Sequence, residues 1–366
     1  MKVLHVIRSL GNGGAENQLV RLLNNNKLNC KIYVFLLEFR KDVPEEISAN
    51  NVILIKSMSR LWLLNLLNLG YQILILRPNV VCAWMYLSCF LISIFKVIGL
   101  VRGRVIWNIR NTQLIAGGID RKTYFLAHFL KFLSFKYCNL IIYNSNASRL
   151  SHEELGYNSE LSKVIGNGFN FHNLEVEPNK LESTSGQYFV GSLGRFNEYK
   201  DYKTLCDAMA QCVSENKNLH FLLAGYGINY KNSELESLLS QSGVPNANYT
   251  LLGPIINKQE FFQKIDLFVL HSKSESFPNV LLEAVAYRKL SVATNVGAVR
   301  EIIECPDDII PPESSCLMAR RIIEMSSLKR EEVEYKVNRN LKNVRSLYDI
   351  IGIASEYDAL ITKEIL

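Results

Sequence analysis

Runs of β-branched and aromatic residues alternate with helical patterns along this chain, stop at one polar stretch, and then start again. KVLHVI (2–7), KIYVFLL (31–37), NVILIK (51–56), VVCAWM (80–85), RVIWNIR (104–110), LIIYNS (140–145) and KVIGNG (163–168) come before NLEVEPNKLESTSG (173–186). YFVGSLGR, HFLLAGYG, YTLLG, LFVLHS and LSVATN follow it. Strands separated by helical segments build parallel sheets wrapped by helices. The expected fold class is therefore α/β, with domains at 1–172 and 187–345 joined by a linker at 173–186. Ligands of open parallel sheets bind beyond the carboxyl ends of the strands. Two Rossmann-like α/β/α domains facing each other would thus form a cleft lined by strand-end loops.

Length supports the division, because 366 residues exceed what one core comfortably holds. Hydrophobic residues at 48% and charged residues at 21% fit a soluble globular protein, which excludes a disordered chain. The eight cysteines form no CxxC pair and no cluster with histidine at zinc spacing, so they read as reduced, buried small side chains of a cytoplasmic protein. The start, MKVLHVIRSLGNGG, offers too short an apolar stretch for a signal peptide, so export is not expected. Charge is uneven, with 21 Lys and Arg against 11 Asp and Glu in residues 1–180, and 20 against 24 thereafter. A basic half suits nucleic acid, an anionic membrane face or a phosphorylated substrate. The absence of a basic helix with interleaved aromatics argues against nucleic acid. The stretch VVCAWMYLSCFLISIFKVIGL (80–100) has Lys96 as its only charge and is long enough to span a bilayer. Its front reads as a buried strand after the turn Arg77-Pro78-Asn79, so a strand followed by a buried or membrane-facing helix competes with a true span.

The chemistry-bearing residues stand at strand ends. GNGGAEN (11–17) is a glycine turn opening a helix, able to approach a phosphate or to serve only as a tight connection. Its third fingerprint glycine is replaced by Glu16, although Glu38 stands near the place of a ribose-binding acid. In GSLGRFNEYKD (191–201), Arg195 and Lys200 share one strand-to-helix loop, where a guanidinium fork and an ammonium suit a diphosphate. Elsewhere two such cations would be a solvated face. LLAGYGI (222–228), with Gly225 and Tyr226, and LLGPI (251–255), with Leu252, could hold a planar base through backbone contacts. SESFPNVLLEAVA (274–286) sets Glu275 and Glu283 eight positions apart around Pro278. Glu275 could simply oppose the positive end of a helix whose first turn carries Pro278. Glu283 falls inside an apolar run and needs a partner, which the two hydroxyls of a ribose would supply. The N–H groups of Phe277, Asn279 and Val280 would point at an anion or a sugar.

Taken together, these segments resemble a family 4 glycosyltransferase of the GT-B fold. The E-x7-E signature is Glu275 to Glu283, accompanied in order by GGAEN, YNSNASRLSHEELGYNSELSKVIGNGFN, GSLGRFNEYKD, LLAGYG, LLG and ATNVGAVREII. The end of the chain, 346–366, resembles the family's last helix, which packs back on the first domain. The resemblance implies an acceptor-side first domain and a nucleotide-sugar-binding second one. It implies that Arg195 and Lys200 bind the donor diphosphate and Glu283 the ribose. Gly225, Tyr226 and Leu252 would border the base. Glu275, with the Phe277–Asn279 backbone, would hold the transferred sugar, Ser276, Pro278 and Val280 are further donor-binding candidates, and Gly13 and Gly14 would border the phosphates. Retention of configuration, no bound metal and no cofactor are implied, in keeping with the missing D-x-D pair. Where many relatives carry a histidine, this chain offers Arg110 and Asn111, of which Arg110 can stabilise charge but cannot act as a base. The usual proline of VIPNG is Gly166, the aspartate of NGID is Asn170, and CGLP is Tyr287-Arg288-Lys289-Leu290.

The expected activity is transfer of a sugar from a nucleotide diphosphate-sugar, with UDP the default, to a sugar hydroxyl. A lipid-linked intermediate of lipopolysaccharide, O-antigen or capsule synthesis is the expected acceptor, with peripheral contact at the anionic inner face of the cell membrane. A sugar-nucleotide epimerase of similar architecture is the alternative. A dehydrogenase built on GNGGAEN and Glu38 lacks a nicotinamide site, and a non-catalytic protein spanning at 80–100 is the remaining reading.

Overall fold

The computed structural model describes residues 1–366 other than 12, 39–46, 58, 60, 113–120, 173, 175–185 and 364–366. The expected linker at 173–186 lies, apart from Leu174 and Gly186, outside the described residues. The chain forms two units, Met1–Phe169 with Tyr348–Leu366, and Asn170–Leu347.

In the first unit the apolar runs become seven parallel strands. In chain order the elements are β1 (Lys2–Ile7), α1 (Gly14–Asn24), β2 (Lys31–Leu36), β3 (Val52–Ile55), α2 (Trp62–Leu76), β4 (Val80–Trp84), α3 (Met85–Val97), β5 (Arg104–Ile109), α4 (Arg121–Tyr137), β6 (Leu140–Tyr143), α5 (Asn146–Leu155) and β7 (Ser162–Val164). The sheet order is β3-β2-β1-β4-β5-β6-β7, so β1 and β4 flank the point where the chain reverses direction across the sheet. Alternate residues of these strands feed two cores. Val3, Cys82, Trp84 and Ile106 pack with Leu19 of α1, whereas Leu4, Val81, Ala83 and Trp107 pack with Leu69, Ile92 and Leu130 of α2, α3 and α4. KVIGNG contributes less strand than its composition suggests, because β7 ends at Val164.

The ambiguous 80–100 stretch resolves into a strand and a helix. Every residue of β4 is buried at the centre of the sheet, and α3 sends Cys89, Leu91, Ile92 and Phe95 into the core. Among the described residues, no helix is long and apolar enough to cross a membrane. The cysteines are all unpaired, but Cys316 is exposed and Cys30 and Cys305 are half-buried, so the expectation of buried small side chains holds for the other five.

The second unit repeats the pattern with β8 (Tyr188–Leu193), α6 (Tyr202–Glu215), β9 (Leu219–Ala224), α7 (Ser233–Ser242), β10 (Tyr249–Gly253), α8 (Lys258–Gln263), β11 (Leu267–Leu270), α9 (Asn279–Ala286), β12 (Leu290–Thr294), α10 (Val299–Ile302), β13 (Ile309–Ile310), α11 (Ser315–Ser326) and α12 (Arg330–Tyr348). Its order, β10-β9-β8-β11-β12-β13, places the reversal between β8 and β11. The last helix, α13 (Ile350–Thr362), belongs to the first unit and covers the α1 side of its sheet through Ile350, Ile353, Tyr357 and Ile361. Where the chain returns to that unit, the Phe169 N–H donates to the Tyr348 carbonyl at 2.8 Å and the Ile350 N–H to the Phe169 carbonyl at 3.0 Å.

Candidate active site

The carboxyl ends of β8, β9, β10 and β11 carry most of the residues singled out above. After β8, the loop through Arg195 leads into a short 3₁₀ turn, Glu198–Lys200. Asn197 caps this turn by accepting from the Lys200 N–H, and Asp201, in the left-handed region at φ 53°, caps α6 by accepting from the Thr204 N–H. The two caps fix the direction of Lys200. Its Nζ lies 2.5 Å from Glu275 Oε1, and Ser272 Oγ donates to the same oxygen at 2.8 Å. Both charged side chains are less than a fifth exposed, at 19% and 18%. Glu275 is thus held by a cation 75 residues away in sequence, and not by the α9 terminus that its position in the sequence suggested.

Backbone contacts lock the same loop. The Lys273 N–H donates to the Tyr199 carbonyl at 2.8 Å, and Thr294 Oγ1 donates to the Ser272 carbonyl at 2.6 Å. Gly297, at φ 53°, approaches so closely that a Cβ there would stand 2.5 Å from the carbonyl oxygens of both Glu275 and Ser276. His271, buried beneath, shares a 2.9 Å hydrogen bond with Ser192 Oγ and meets Tyr202 edge-on at 4.7 Å. Burial, and then the Lys200 charge, push its imidazole down to about 3, so it is neutral and ties β8 to β11 without carrying a proton at neutral pH.

The glycine-bearing strand ends stack beside this loop. Gly225, at φ 135°, lies where a Cβ would fall 1.8 Å from the Gly194 carbonyl oxygen, so no other residue fits. The Gly194 N–H reaches the Ala224 carbonyl at 2.9 Å, and the Gly225 N–H reaches that of Gly253 at 2.8 Å. Tyr226 is 75% exposed just beyond, Leu252 is partly exposed, and Arg195 lies at the surface.

The start of α9 differs from expectation in two respects. Pro278 is the residue before the helix and not part of its first turn, and it accepts from the Leu281 and Leu282 N–H groups. The Asn279 N–H, expected to face an anion, donates to the Phe277 carbonyl at 2.9 Å. Val280 is half-buried and Phe277 is buried. Glu283, with a side chain 4% exposed, does have the partner its burial demands: Lys258 Nζ of α8 lies 2.8 Å from each carboxylate oxygen. Lys258 itself is about half exposed, so the pair opens toward solvent on one side. No sequence signal marked Lys258, Ser272 or Gly297; only the fold brings them to the glutamates and their loop.

Gly13, Gly14, Arg110 and Asn111 belong to the first unit, at the ends of β1 and β5. Gly13 precedes α1, and a Cβ there would stand 1.9 Å from Glu16 Oε2. The Glu16 carboxylate therefore folds back over the turn and itself opposes the helix dipole. Asn111 accepts from Ser148 Oγ at 2.6 Å through its carbonyl, which fastens the loop after β5 to α5. Arg110 is buried beside Trp84, 5.0 Å from that ring, and Nη1 donates to Asn167 Oδ1 at 2.5 Å. Among the described residues its Nε and Nη2 have no hydrogen-bond partner, and burial lowers its pKa to about 10, which leaves it charged at neutral pH.

Two parallel-sheet α/β domains of this kind define the GT-B fold, and comparison with solved structures bears this out. HepE of Anabaena, solved with UDP-glucose, superposes with a TM-score of 0.79 over 99% of each chain at 20% identity. The lipopolysaccharide outer core galactosyltransferase WaaB, solved in its apo form, superposes with a TM-score of 0.72 over 99% of this chain and 100% of WaaB at 16% identity. Such identities speak for the fold alone. In sequence, residues 187–327 match the family described as Glycosyl transferases group 1. The capsular polysaccharide biosynthesis glycosyltransferase CapM of Staphylococcus aureus is 28% identical over 146 residues. That similarity spans 37% of each of the two chains.

Proposed function

We propose that this chain is a retaining glycosyltransferase that moves a sugar from a nucleotide diphosphate-sugar, most simply a UDP-sugar, to a sugar hydroxyl of a lipid-linked glycan. The observation that carries the reading is the Lys200–Glu275 pair, which joins the ends of β8 and β11 at the point where strand order reverses. In this reading Arg195 and Lys200 take the diphosphate, while Gly225, Tyr226 and Leu252 border the base. Glu283 accepts from the ribose hydroxyls in exchange for part of its contact with Lys258. Glu275, with the segment from Ser276 to Val280, faces the transferred sugar. Gly13 and Gly14 border the phosphates from the first unit, in which case Glu16 must swing off Gly13.

In the transfer step the bond from the anomeric carbon to the diphosphate oxygen breaks, with its electron pair staying on the departing phosphate. The acceptor oxygen bonds to the same carbon from the same face, and its proton passes to the departing diphosphate. Lys200 and Arg195 stabilise the charge that develops there, without a bound metal. Arg110 adds a fixed cation on the acceptor side and performs no proton transfer. The name of CapM and the description of the matched family, both of glycosyltransferases, also favour this reading over an epimerase.

The test is thermal shift with UDP, GDP and ADP, free and as sugar conjugates, on wild type, Arg195→Ala and Glu283→Ala. One nucleotide series is expected to raise the melting temperature of wild type and to do so on the order of tenfold less tightly for each variant, as loss of a charged hydrogen-bond partner implies. Stabilisation by none of the nucleotides, or stabilisation undiminished in both variants, would remove the site.

A further inference from the structure

Helices α2 and α4 are apolar on both sides. Each turns one stripe to the sheet: Leu69, Ile73 and Leu76 from α2, and Ala127 and Leu130 from α4. A helix on a soluble surface then shows water a polar face. Instead, α4 presents Phe125, Phe129, Phe132 and Phe135, 49 to 69% exposed, at spacings of four, three and three residues. The outward side of α2 presents Trp62, Leu63, Leu67, Tyr71 and Leu74, each at least half exposed. The two stripes belong to one surface, because α3 lies between them: Gly70 of α2 packs on Phe95, and Phe90 meets Phe129 edge-on at 6.0 Å. Contiguous exposed apolar surface of this kind marks a partner.

Charge selects the partner. From residue 47 to 152 the sequence holds twelve Lys and Arg and a single acid, Asp120. Some of these cations stand among the exposed rings, so that α4, contrary to the reading of the sequence, is a basic helix with interleaved aromatics: Lys131 Nζ lies 5.1 Å from the Phe132 ring and Lys136 Nζ 5.7 Å from Tyr137. A second copy of the chain would set these cations against one another, with no acid from α2, α3 or α4 to pair with them. A bilayer containing anionic lipid supplies both the apolar phase for the rings and the counter-charge for the lysines, whose stems reach up to the headgroups. At 15 and 17 residues, α2 and α4 are about 22–26 Å long, shorter than the apolar core of a bilayer at roughly 30 Å, and suited to lying in its plane.

We propose that the outward face of α2, α3 and α4 is a docking surface for an anionic lipid bilayer. The proposal locates the membrane contact that a lipid-linked acceptor requires, but it stands apart from the transfer reading, because binding to vesicles needs no nucleotide. The experiment is co-sedimentation of the full chain with vesicles of phosphatidylcholine alone and of equimolar phosphatidylcholine and phosphatidylglycerol. Wild type is expected to partition onto the anionic vesicles about tenfold more strongly, less so as salt is raised. Phe129→Ser with Phe132→Ser, and separately Lys131→Glu with Lys136→Glu, should each lose about tenfold in partitioning while keeping the wild-type melting temperature and nucleotide response. Should the phenylalanine variant fail to fold, Leu67→Ser with Leu74→Ser on the other helix makes the same test. Equal binding to neutral and anionic vesicles, binding unaffected in both variants, or a dimer in solution that the phenylalanine changes dissolve would each overturn the proposal, the last by assigning the face to a second copy.

Discussion

At the scale of single residues, the two glutamates of SESFPNVLLEAVA have become different objects. Both were visible in the sequence as acids needing an explanation, since burial of an unpaired carboxylate is costly. Their partners were not, because Lys200 and Lys258 reach them across 75 and 25 residues and announce themselves by no local pattern. Arg110 was legible as a cation at a strand end, yet the burial of its Nε and Nη2 without a hydrogen-bond partner among the described residues appears only once the strand has neighbours. Gly297 lies in ATNVGAVREII, but nothing in that run shows that it sets how closely the Glu275 loop can pass. Gly297→Ala should therefore cost more than the strain of its positive φ, itself about 1–3 kcal/mol, because the methyl also meets two backbone carbonyls. Gly243→Ala is the control, with φ 76° and nothing within 4 Å of the added carbon. Thermal melting should show the larger loss at Gly297, and the nucleotide-induced shift should shrink there and persist at Gly243. Equal losses in the two variants would mean that the close approach carries no weight.

At the scale of elements, the strands were readable because central parallel strands are buried on both faces and leave a continuous β-branched imprint. The 80–100 stretch was ambiguous for the same reason: a buried strand followed by a buried helix has the composition of a membrane span, and only the left-handed backbone at Met85, φ 64°, separates them. The end of the KVIGNG run carries the same imprint but folds as loop beyond β7, with Ile165 buried although it lies past the strand's last residue. The energetic part of α13 can be measured directly. Ile353, 5% exposed, faces the first sheet, whereas Ile351, 41% exposed, faces away. Ile353→Ala should destabilise the first unit by about 2–5 kcal/mol, and Ile351→Ala by less than about 0.5 kcal/mol. Denaturant melts followed by tryptophan fluorescence make the comparison, since Trp62, Trp84 and Trp107 all lie in the first unit. Similar effects from the two changes would mean that α13 is not docked as described.

At the scale of the molecule, three buried histidines link stability to acidity. Burial lowers His5 and His271 to about 3 and His152 to about 4, from an ordinary value of 6.5. Each folded-state value lies below its unfolded one, so the stabilisation is complete above pH 6.5 and is lost as pH falls toward 3–4. The slope is about 1.4 kcal/mol per pH unit for each histidine. Two of the three, His5 and His152, are in the first unit, whereas the second holds His271 and His220, the latter lowered less by burial. The fluorescence transition should therefore drop more steeply between pH 6.5 and 5 than the transition of the second unit. A first-unit transition flat across that range would show that these imidazoles are not held neutral by burial. The existence of two α/β units was legible from the restart of alternation after a polar stretch. That the first unit is finished by the end of the chain was suggested only by the likeness of YDIIGIASEYDALITKEI to a family's last helix, because the contacts of Ile350 and Tyr357 with the first sheet are tertiary.

That arrangement sets an order of events at the ribosome. When Phe169 has been made, the α1 side of the first sheet still lacks α13, and Trp84 and Cys82 lack the helix that covers them. The whole of residues 170–347 must be synthesised next, roughly 10–40 s at about 5–20 residues per second. The second unit, being one uninterrupted stretch, can close its core during that interval. The first unit is thus completed only after the second, and through that wait its sheet is the surface a chaperone would meet.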